Sequence, residues 1–204
     1  MSKWGIEEEE TIEAINKIGF SGNILNIAAG DGRFNNRLLE LAQSVTAIDI
    51  DGSDLKVLEE SCPNYLANKL STKVVDITKK FPFDDSSFDG VFCTGTLHLF
   101  EKETILKILQ EIKRVLKVDG KFVLDFATDI KRLDKEKKPV IFDGECSFTS
   151  EEAVNLFKEQ MQGNLLNIDI HIKYFLQLQI TDHLHFLIFL NMKSFFLKYL
   201  FFYL

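Results

Sequence analysis

Carboxylates end several apolar runs of this sequence, at positions where they could accept hydrogen bonds from a ligand. Asp49 ends the run VTAID, Asp76 follows KVV, and Asp125 ends KFVLD. A carboxylate offers two acceptor oxygens, which suit the hydroxyl and amino groups of a nucleoside. One such aspartate is usually a helix cap or a turn residue. Three aspartates at equivalent places favour a binding role.

A glycine pair precedes the first of these aspartates. Gly30 and Gly32 allow a tight turn and a close approach of the backbone to a ligand. Asp49 follows Gly30 by about twenty residues, the spacing at which a carboxylate reaches ribose hydroxyls in a nucleotide-binding fold. The third glycine of the GxGxxG dinucleotide fingerprint is replaced by Asn35. A loop that binds pyrophosphate is therefore poorly supported, and a nicotinamide-dependent oxidoreductase is the least favoured hypothesis.

The elements that must position these residues are short apolar strands alternating with amphipathic helices. Strands are predicted over 23–28, 45–50, 72–77, 88–94 and 120–127. Helices are predicted near 7–18, over 33–42, from Ser53 to before Pro63, over 103–117, and after a capping box formed by Thr149 and Glu152. This alternation predicts an α/β fold with a doubly wound, mostly parallel sheet and helices on both faces. Ligands bind such sheets beyond the carboxyl ends of the strands.

Four segments between residue 24 and about residue 125 carry a resemblance to a known family. They are LNIAAGDGRF, VTAIDID, VVDITKKFPFDDSSFDGVFCTGTLHLF and EIKRVLKVDGKFVL. In this order and spacing they resemble the class I S-adenosylmethionine-dependent methyltransferases, in particular the small methyltransferase-domain group. The resemblance implies a Rossmann-like, seven-stranded sheet with an antiparallel C-terminal hairpin. It also implies S-adenosyl-L-methionine as the cofactor.

The resemblance assigns roles to the strand ends. The loop from Gly30 to Gly32 would pass under the methionine part of the cofactor. Asp49 would hold the ribose hydroxyls, with Ile50 against the adenine face. Asp76 would accept the adenine amino group, with the Ile77 amide beside it. Acceptors suit this neutral-edged ligand, and it requires no cationic phosphate clamp.

The remaining cofactor positions include two departures from the family pattern. Thr94 would contact the methionine part through its backbone. The family usually has an acidic residue where this chain has Asn26, and a glycine where it has Ala28. Asn26 loses the negative charge that would face an ammonium group, and Ala28 costs little only if its φ is negative. The predicted cofactor-binding set is Asn26, Ala28, Gly30, Gly32, Asp49, Ile50, Asp76, Ile77 and Thr94.

His98, in GTLHLF after the fourth predicted strand, is the candidate catalytic residue. A general base is needed only if the methyl acceptor is protonated and has a high pKa. The equally weighted alternative is that His98 packs or caps the following helix. No cysteine or histidine spacing in the chain is typical of a metal site, so we expect no metal.

Composition limits the partners. The net charge of −7 gives the chain no general attraction for nucleic acid, so we expect a small-molecule acceptor instead. Three cysteines form no disulfide framework, and the first ten residues lack the apolar core of a secretion signal. These features predict a cytoplasmic protein. The alternative to an enzyme is a methyltransferase-like cofactor-binding or partner-binding protein with weak or no catalysis.

The C-terminal part combines two strand patterns with an apolar ending. A single methyltransferase domain is predicted over 1–190, closed by strands over 166–173 and 183–190, and followed by an apolar tail over 191–204. Polar residues interrupt the apolar run, so a membrane span is disfavoured. A docking element and a terminus without selected function remain open alternatives. The oligomeric state is not indicated by the sequence.

Overall fold

Helices and strands alternate through most of the chain. The computed structural model describes residues 2–3, 9–128, 132–133, 139–140, 148–160, 169–175 and 197–203. The helices are α1 (Glu9–Ile18), α2 (Asn35–Leu41), α3 (Gly52–Ser61), α4 (Lys102–Val115) and α5 (Ser150–Gln160). The strands are β1 (Asn23–Ile27), β2 (Ser44–Asp49), β3 (Leu70–Val74), β4 (Phe88–Cys93), β5 (Leu116–Thr128), β6 (Arg132–Leu133), β7 (Pro139–Val140), β8 (Asp169–Phe175) and β9 (Leu197–Tyr203). Short 3-10 helices cover Ala67–Lys69 and Leu97–Leu99.

Five parallel strands form the part of the sheet that positions the site. Their order is β3-β2-β1-β4-β5. Strand β1 is central, and its last residue, Ile27, pairs with Ile48 of β2 and with Cys93 of β4. The chain order reverses between β1 and β4, so the crevice for a ligand lies at their carboxyl ends. The predicted α/β fold with a parallel sheet is confirmed.

Apolar side chains cover both faces of this sheet. Successive residues of β1 point to opposite faces, so Ile24 packs in the cluster that contains residues of α1 and α2, and Leu25 packs in the cluster that contains residues of α4 and α5. Both side chains are fully buried. Burial of one such side chain contributes about 1.5–3 kcal/mol. The central strands are therefore mostly apolar, with few polar residues between their ends.

Arg114, in the last turn of α4, fixes the loop between β3 and β4. Its guanidinium donates to the carbonyl oxygens of Phe83 at 2.8 Å and Phe81 at 3.0 Å. It also pairs with Asp85 and with Glu111, each at 2.7 Å. Only the planar fork of arginine presents donors to so many acceptors at once. The loop that leads from Asp76 into β4 is thus tied to α4.

The third strand differs from its prediction. It spans Leu70–Val74, whereas the pattern TKVVDI predicts a strand over 72–77. This strand is the edge of the described parallel part, and Val74 is 60% exposed. An edge strand needs no continuous apolar run, so the apolar pattern misplaces its boundaries. Asp76 consequently lies two residues beyond the strand.

Backbone pairing continues past β5 into the C-terminal part of the chain. Strand β9 pairs antiparallel with β5 and with β8, while β6 and β7 form a separate two-stranded sheet. The predicted hairpin strand over 183–190, and residues 191–196 of the predicted tail, lie outside the described residues. No helix among the described residues is long and apolar enough to span a membrane.

Candidate functional site

The loop between β1 and α2 is built from left-handed residues. Ala28, Gly30 and Gly32 have φ values of 52°, 54° and 90°. Gly32 also has no room for a side chain, because a Cβ atom there would lie 2.7 Å from Cγ of Leu58 in α3. The Ala29 amide donates to the carbonyl of Ile48 at 3.0 Å, which ties the loop to β2. Ala28 therefore adopts the conformation in which a glycine would be less strained.

Asp49, the last residue of β2, connects three segments at the carboxyl edge. Its Oδ2 accepts the Gly30 amide at 2.8 Å, and its Oδ1 accepts the Asp51 amide at 2.9 Å. Its carbonyl accepts the Val75 amide at 2.8 Å. The next side chain, Ile50, is 69% exposed. A carboxylate with spare acceptor capacity thus lies beside an open apolar surface.

Asp76 forms a tight local turn after β3. Its Oδ1 accepts the Thr78 amide at 2.9 Å and the Thr78 hydroxyl at 2.6 Å. These hydrogen bonds hold the pKa of Asp76 below its ordinary value, so the carboxylate is ionised at neutral pH. Ile77 is buried beneath the turn. Since Asp49 pairs with Val74, Asp76 lies two residues beyond the level at which β2 ends.

The ends of β4 and β5 are joined by a buried carboxylate. Asp125 is 4% exposed, and its Oδ1 accepts the Gly95 amide at 2.6 Å. Gly95 has a φ of 70°, and Thr94 before it is partly buried. A Cβ atom at Gly95 would meet Nη2 of Arg33 at 3.9 Å, in ordinary contact. Sequence reasoning places Asp125 at a strand end, but it does not reveal which amide the carboxylate holds.

Cys93 ends β4 beside this carboxylate. The thiol is fully buried, and burial raises its pKa far above the ordinary value, with the charge of Asp125 acting in the same direction. The thiol therefore stays protonated and is not a nucleophile.

Two buried asparagines lie beneath the glycine loop. Nδ2 of Asn26 donates to Oδ1 of Asn35 at 3.4 Å, which is a long hydrogen bond. Asn35 is 1% exposed, and its Nδ2 has no hydrogen-bond partner among the described residues. A buried donor without an acceptor costs about 1–3 kcal/mol. The pair is neutral where the resemblance implies a negative charge.

His98 lies in the 3-10 helix after β4 and is buried. Its ring makes an edge-to-face contact with Phe126 of β5, with 6.4 Å between ring centroids. Phe126 also contacts the rings of Phe148 and Phe157. The structure therefore places His98 against β5. The glycine loop is instead bonded to Asp49 of β2.

Ser2 and Lys3 bind to the glycine loop and to α3. The Ser2 hydroxyl donates to Oδ1 of Asp31 at 2.5 Å, and the Lys3 amide donates to Oδ2 of the same residue at 2.6 Å. Nζ of Lys3 pairs with Asp54 of α3 at 2.5 Å, and this hydrogen bond raises the pKa of Lys3. No sequence pattern predicts these contacts, because they join residues far apart along the chain.

The described carboxyl edge presents acceptors and an apolar surface. Asp49 and Asp76 can accept hydrogen bonds from hydroxyl and amino groups, and Ile50 can cover a flat ring. No group of three metal-ligating side chains occurs among the described residues. The arrangement suits a neutral ligand that presents hydroxyl and amino donors beside a flat ring.

Comparison with known proteins gives family matches over the same region. A family model described as "Methyltransferase domain" matches residues 25–124. Sterol 4-C-methyltransferase strm-1 of Caenorhabditis elegans is 26% identical over 141 residues, which are 66% of this chain and 42% of that protein. The chain thus spans about two fifths of that relative's length.

Solved structures share the fold. A methyltransferase from Methanosarcina mazei, described as SAM-dependent, aligns over 98% of both chains with a TM-score of 0.66 and 19% identity. Phosphoethanolamine N-methyltransferase 1 of Haemonchus contortus, solved with phosphoethanolamine and S-adenosylhomocysteine, aligns with a TM-score of 0.58 and 22% identity. That alignment covers 67% of this chain and 30% of the Haemonchus chain. At these identities the structures show a common fold.

Proposed function

Because the chain belongs to the class I S-adenosylmethionine-dependent methyltransferases, we propose that it binds S-adenosyl-L-methionine and methylates a small-molecule acceptor. The observation that carries the proposal is the 2.8 Å hydrogen bond from the Gly30 amide to Asp49. It joins the glycine loop and the ribose-binding candidate at the carboxyl ends of β1 and β2. This place is next to the switch point between β1 and β4, where ligands of this fold class bind.

The side chains at the carboxyl edge fit the nucleoside half of this cofactor. Asp49 would accept the ribose hydroxyls while it keeps the Gly30 amide, since each carboxylate oxygen accepts more than one hydrogen bond. Ile50 would cover the adenine ring with its exposed side chain. Asp76, ionised and fixed by Thr78, would accept the adenine amino group, with the Ile77 amide beside it.

The fit is looser at the methionine end. The loop from Gly30 to Gly32 and the Thr94 backbone would line this part, and the unpaired Nδ2 of Asn35 offers a donor beneath the loop. Asn26 brings no negative charge to the ammonium group. Ala28 would approach the ligand in a left-handed conformation. We therefore expect binding, with a weaker hold on the methionine part than an acidic residue at position 26 would give.

The reaction itself needs little from the protein. The bound cofactor supplies an activated methyl group on a sulfonium. The residues of the site hold and align the reactants, and such alignment can supply most of the rate. His98 would act as a general base if the acceptor carries a proton of high pKa. Its imidazole ring packs edge to face against Phe126.

Calorimetric titration tests the cofactor assignment. We expect saturable binding of S-adenosylmethionine and S-adenosylhomocysteine, and none of NAD. Asp49→Ala should weaken binding by about 1–3 kcal/mol, the scale of lost hydrogen bonds to a buried polar group. The matched control is Asp89→Ala. Asp89 also accepts a backbone amide, that of Asn23 at 2.8 Å, but near the amino-terminal ends of β1 and β4. Unchanged affinity in folded Asp49→Ala protein would refute the site.

A separate measurement tests His98. Once screening identifies an acceptor, His98→Ala should lower kcat by about a hundredfold or more and leave S-adenosylhomocysteine binding unchanged. The control is Phe126→Leu, which disturbs the same packing without removing a titratable group. Unchanged turnover in folded His98→Ala protein would make His98 a packing residue.

The second candidate is a cofactor-binding or partner-binding protein with weak or no catalysis. It is favoured by the long hydrogen bond of Asn26 and by the positive φ of Ala28. Cofactor binding without detectable methyl transfer to any acceptor of a broad screen would support this candidate. Turnover would exclude it.

The remaining features of the proposal concern the sheet and the compartment. β8 and β9 would complete a seven-stranded sheet as its antiparallel end, which their backbone pairing supports. Protection of the 197–203 amides from hydrogen exchange would test this.

The free, buried thiols of Cys62 and Cys93 fit a reducing cytoplasmic compartment.

A further inference from the structure

Asp125 is the one strand-end carboxylate to which the resemblance assigns no role. It is almost completely buried at the carboxyl end of β5. Its Oδ1 accepts the Gly95 amide at 2.6 Å. A hydrogen bond to a carboxylate is short and about twice as strong as a neutral one. The contact therefore fixes the peptide unit that links Thr94 to Gly95.

Fixing this peptide unit has a definite consequence for Thr94. The bond is trans, since the chain contains no cis peptide bond in its described part. In a trans peptide the N–H and the C=O point in opposite directions. With the Gly95 amide held by Asp125, the Thr94 carbonyl oxygen must point away from β5. The positive φ of Gly95 lets the chain leave this unit without strain.

The direction of this carbonyl matters because β1 lacks an acidic side chain that would attract an ammonium group. The neighbouring strand end offers Asn26, a neutral side chain, where an acidic residue would attract an ammonium group. A carbonyl oxygen is an acceptor, and its hydrogen bond to a charged donor is stronger than one to a neutral donor. The Thr94 carbonyl oxygen accepts the Thr96 hydroxyl at 3.3 Å. Because a carbonyl oxygen has two lone pairs, it can also accept from an ammonium group at the methionine end of the pocket.

We propose that Asp125 is a positioning residue: it holds the Gly95 amide so that the Thr94 carbonyl receives the ammonium group of the cofactor's methionine part. This inference rests on the proposed function and extends it to a residue buried beneath the pocket. Asp125 is buried and acts on the cofactor through the Thr94–Gly95 peptide, not by direct contact.

Two ligands that differ in the amino-acid part provide the test. S-adenosylhomocysteine carries the ammonium group, and 5′-methylthioadenosine lacks it while keeping the nucleoside. Asp125→Ala should weaken binding of S-adenosylhomocysteine by about tenfold, the loss expected for one charge-assisted hydrogen bond. Its affinity for 5′-methylthioadenosine should stay within about twofold of the wild type. Asp125→Asn should lose less, because its amide oxygen can still accept from Gly95.

The control variant is Asp89→Asn. It weakens another carboxylate–amide contact of the same sheet, near the amino-terminal ends of β1 and β4. It should lower stability and leave both affinities unchanged. If Asp125→Ala does not fold, the ratio of the two affinities in Asp125→Asn decides. Equal losses for both ligands, or no loss for either, would overturn the positioning role alone. Failure of the wild type to bind either ligand would overturn the proposed function as well.

Discussion

Comparing Ala28→Gly with Ala29→Gly should separate the free energy of backbone strain at Ala28 from the other effects of replacing alanine by glycine. Ala28 has a φ of 52°, a conformation that costs a residue with a Cβ atom about 1–2 kcal/mol. Glycine removes this cost but loses the contact of one methyl group with the core. It also adds about 0.5–1 kcal/mol of entropy to the unfolded chain. The gains and losses nearly cancel, so we expect Ala28→Gly to be neutral or slightly stabilising.

The adjacent alanine provides the reference. Ala29 is also partly buried and packed against core residues, but its φ is not positive. Ala29→Gly therefore has the same losses without the relief, and it should destabilise the protein by about 1 kcal/mol. The two free energies of unfolding should differ by about 1–2 kcal/mol. Urea denaturation with unchanged m-values measures this difference. Equal destabilisation by both substitutions would refute the strain at Ala28.

Three further predictions concern contacts around the site. Gly32→Ala should lower the free energy of unfolding by about 2–4 kcal/mol in urea denaturation, because the new Cβ atom would lie 2.7 Å from Leu58 and φ is 90°. Arg114→Met should cost about 2–3 kcal/mol in the same assay, because two loop carbonyls lose a charged donor. Stability should fall below about pH 4.5, because hydrogen bonds from the Asn23 amide and from Arg114 hold the pKa values of Asp89 and Glu111 below their ordinary 3.8 and 4.5.

Protonation of Asp89 and Glu111 should destabilise the folded protein. Both carboxyls have folded-state pKa values below the unfolded ones, so their stabilisation is present above the unfolded values and is lost as the pH falls through the folded values. Asp89→Asn should make the fall of stability below pH 4.5 shallower, measured as urea midpoints across the pH series. An unchanged acid slope in that variant would contradict the prediction. The comparison for Gly32→Ala is Gly52→Ala. It should be nearly neutral, because the closest neighbour of the new Cβ atom, at 3.2 Å, belongs to the exposed side chain of Val74, which can shift. The comparison for Arg114→Met is Arg114→Lys, which should recover only part of the loss.

Local patterns predicted the elements whose residues interact with near neighbours in sequence. The α4 helix follows from the spacing of its buried isoleucines and leucines. The capping box before α5 is confirmed, with the Thr149 amide 2.8 Å from Oε2 of Glu152 and the Glu152 amide 3.2 Å from Oγ1 of Thr149. The β3 boundaries were wrong because an edge strand carries exposed residues. The apolar period reports burial, and it fails where burial is incomplete.

The contacts at the site required the structure, because they join distant parts of the chain. The glycine–aspartate spacing indicated that Asp49 could reach the ribose of a bound nucleotide, since the strand–helix–strand unit has a characteristic length. It did not indicate the hydrogen bond between the Gly30 amide and Asp49. Nothing comparable indicates that Asp125 holds Gly95, thirty positions away, or that Lys3 pairs with Asp54. Asp125 was recognisable only as a carboxylate in an apolar run. Its partner depends on the twist and register of two strands.

The structural and the binding explanations of the strand-end aspartates are compatible. Asp49 and Asp76 each bind backbone amides in their own turns, which is the ordinary role of such residues. The same bonds fix the orientation of each carboxylate before any ligand arrives, so a ligand would not have to order them. Loss of stability on mutation therefore cannot distinguish the two roles. A ligand affinity that falls for Asp49→Ala, but not for the equally structural Asp89→Ala, isolates the contribution made only when the nucleoside is bound.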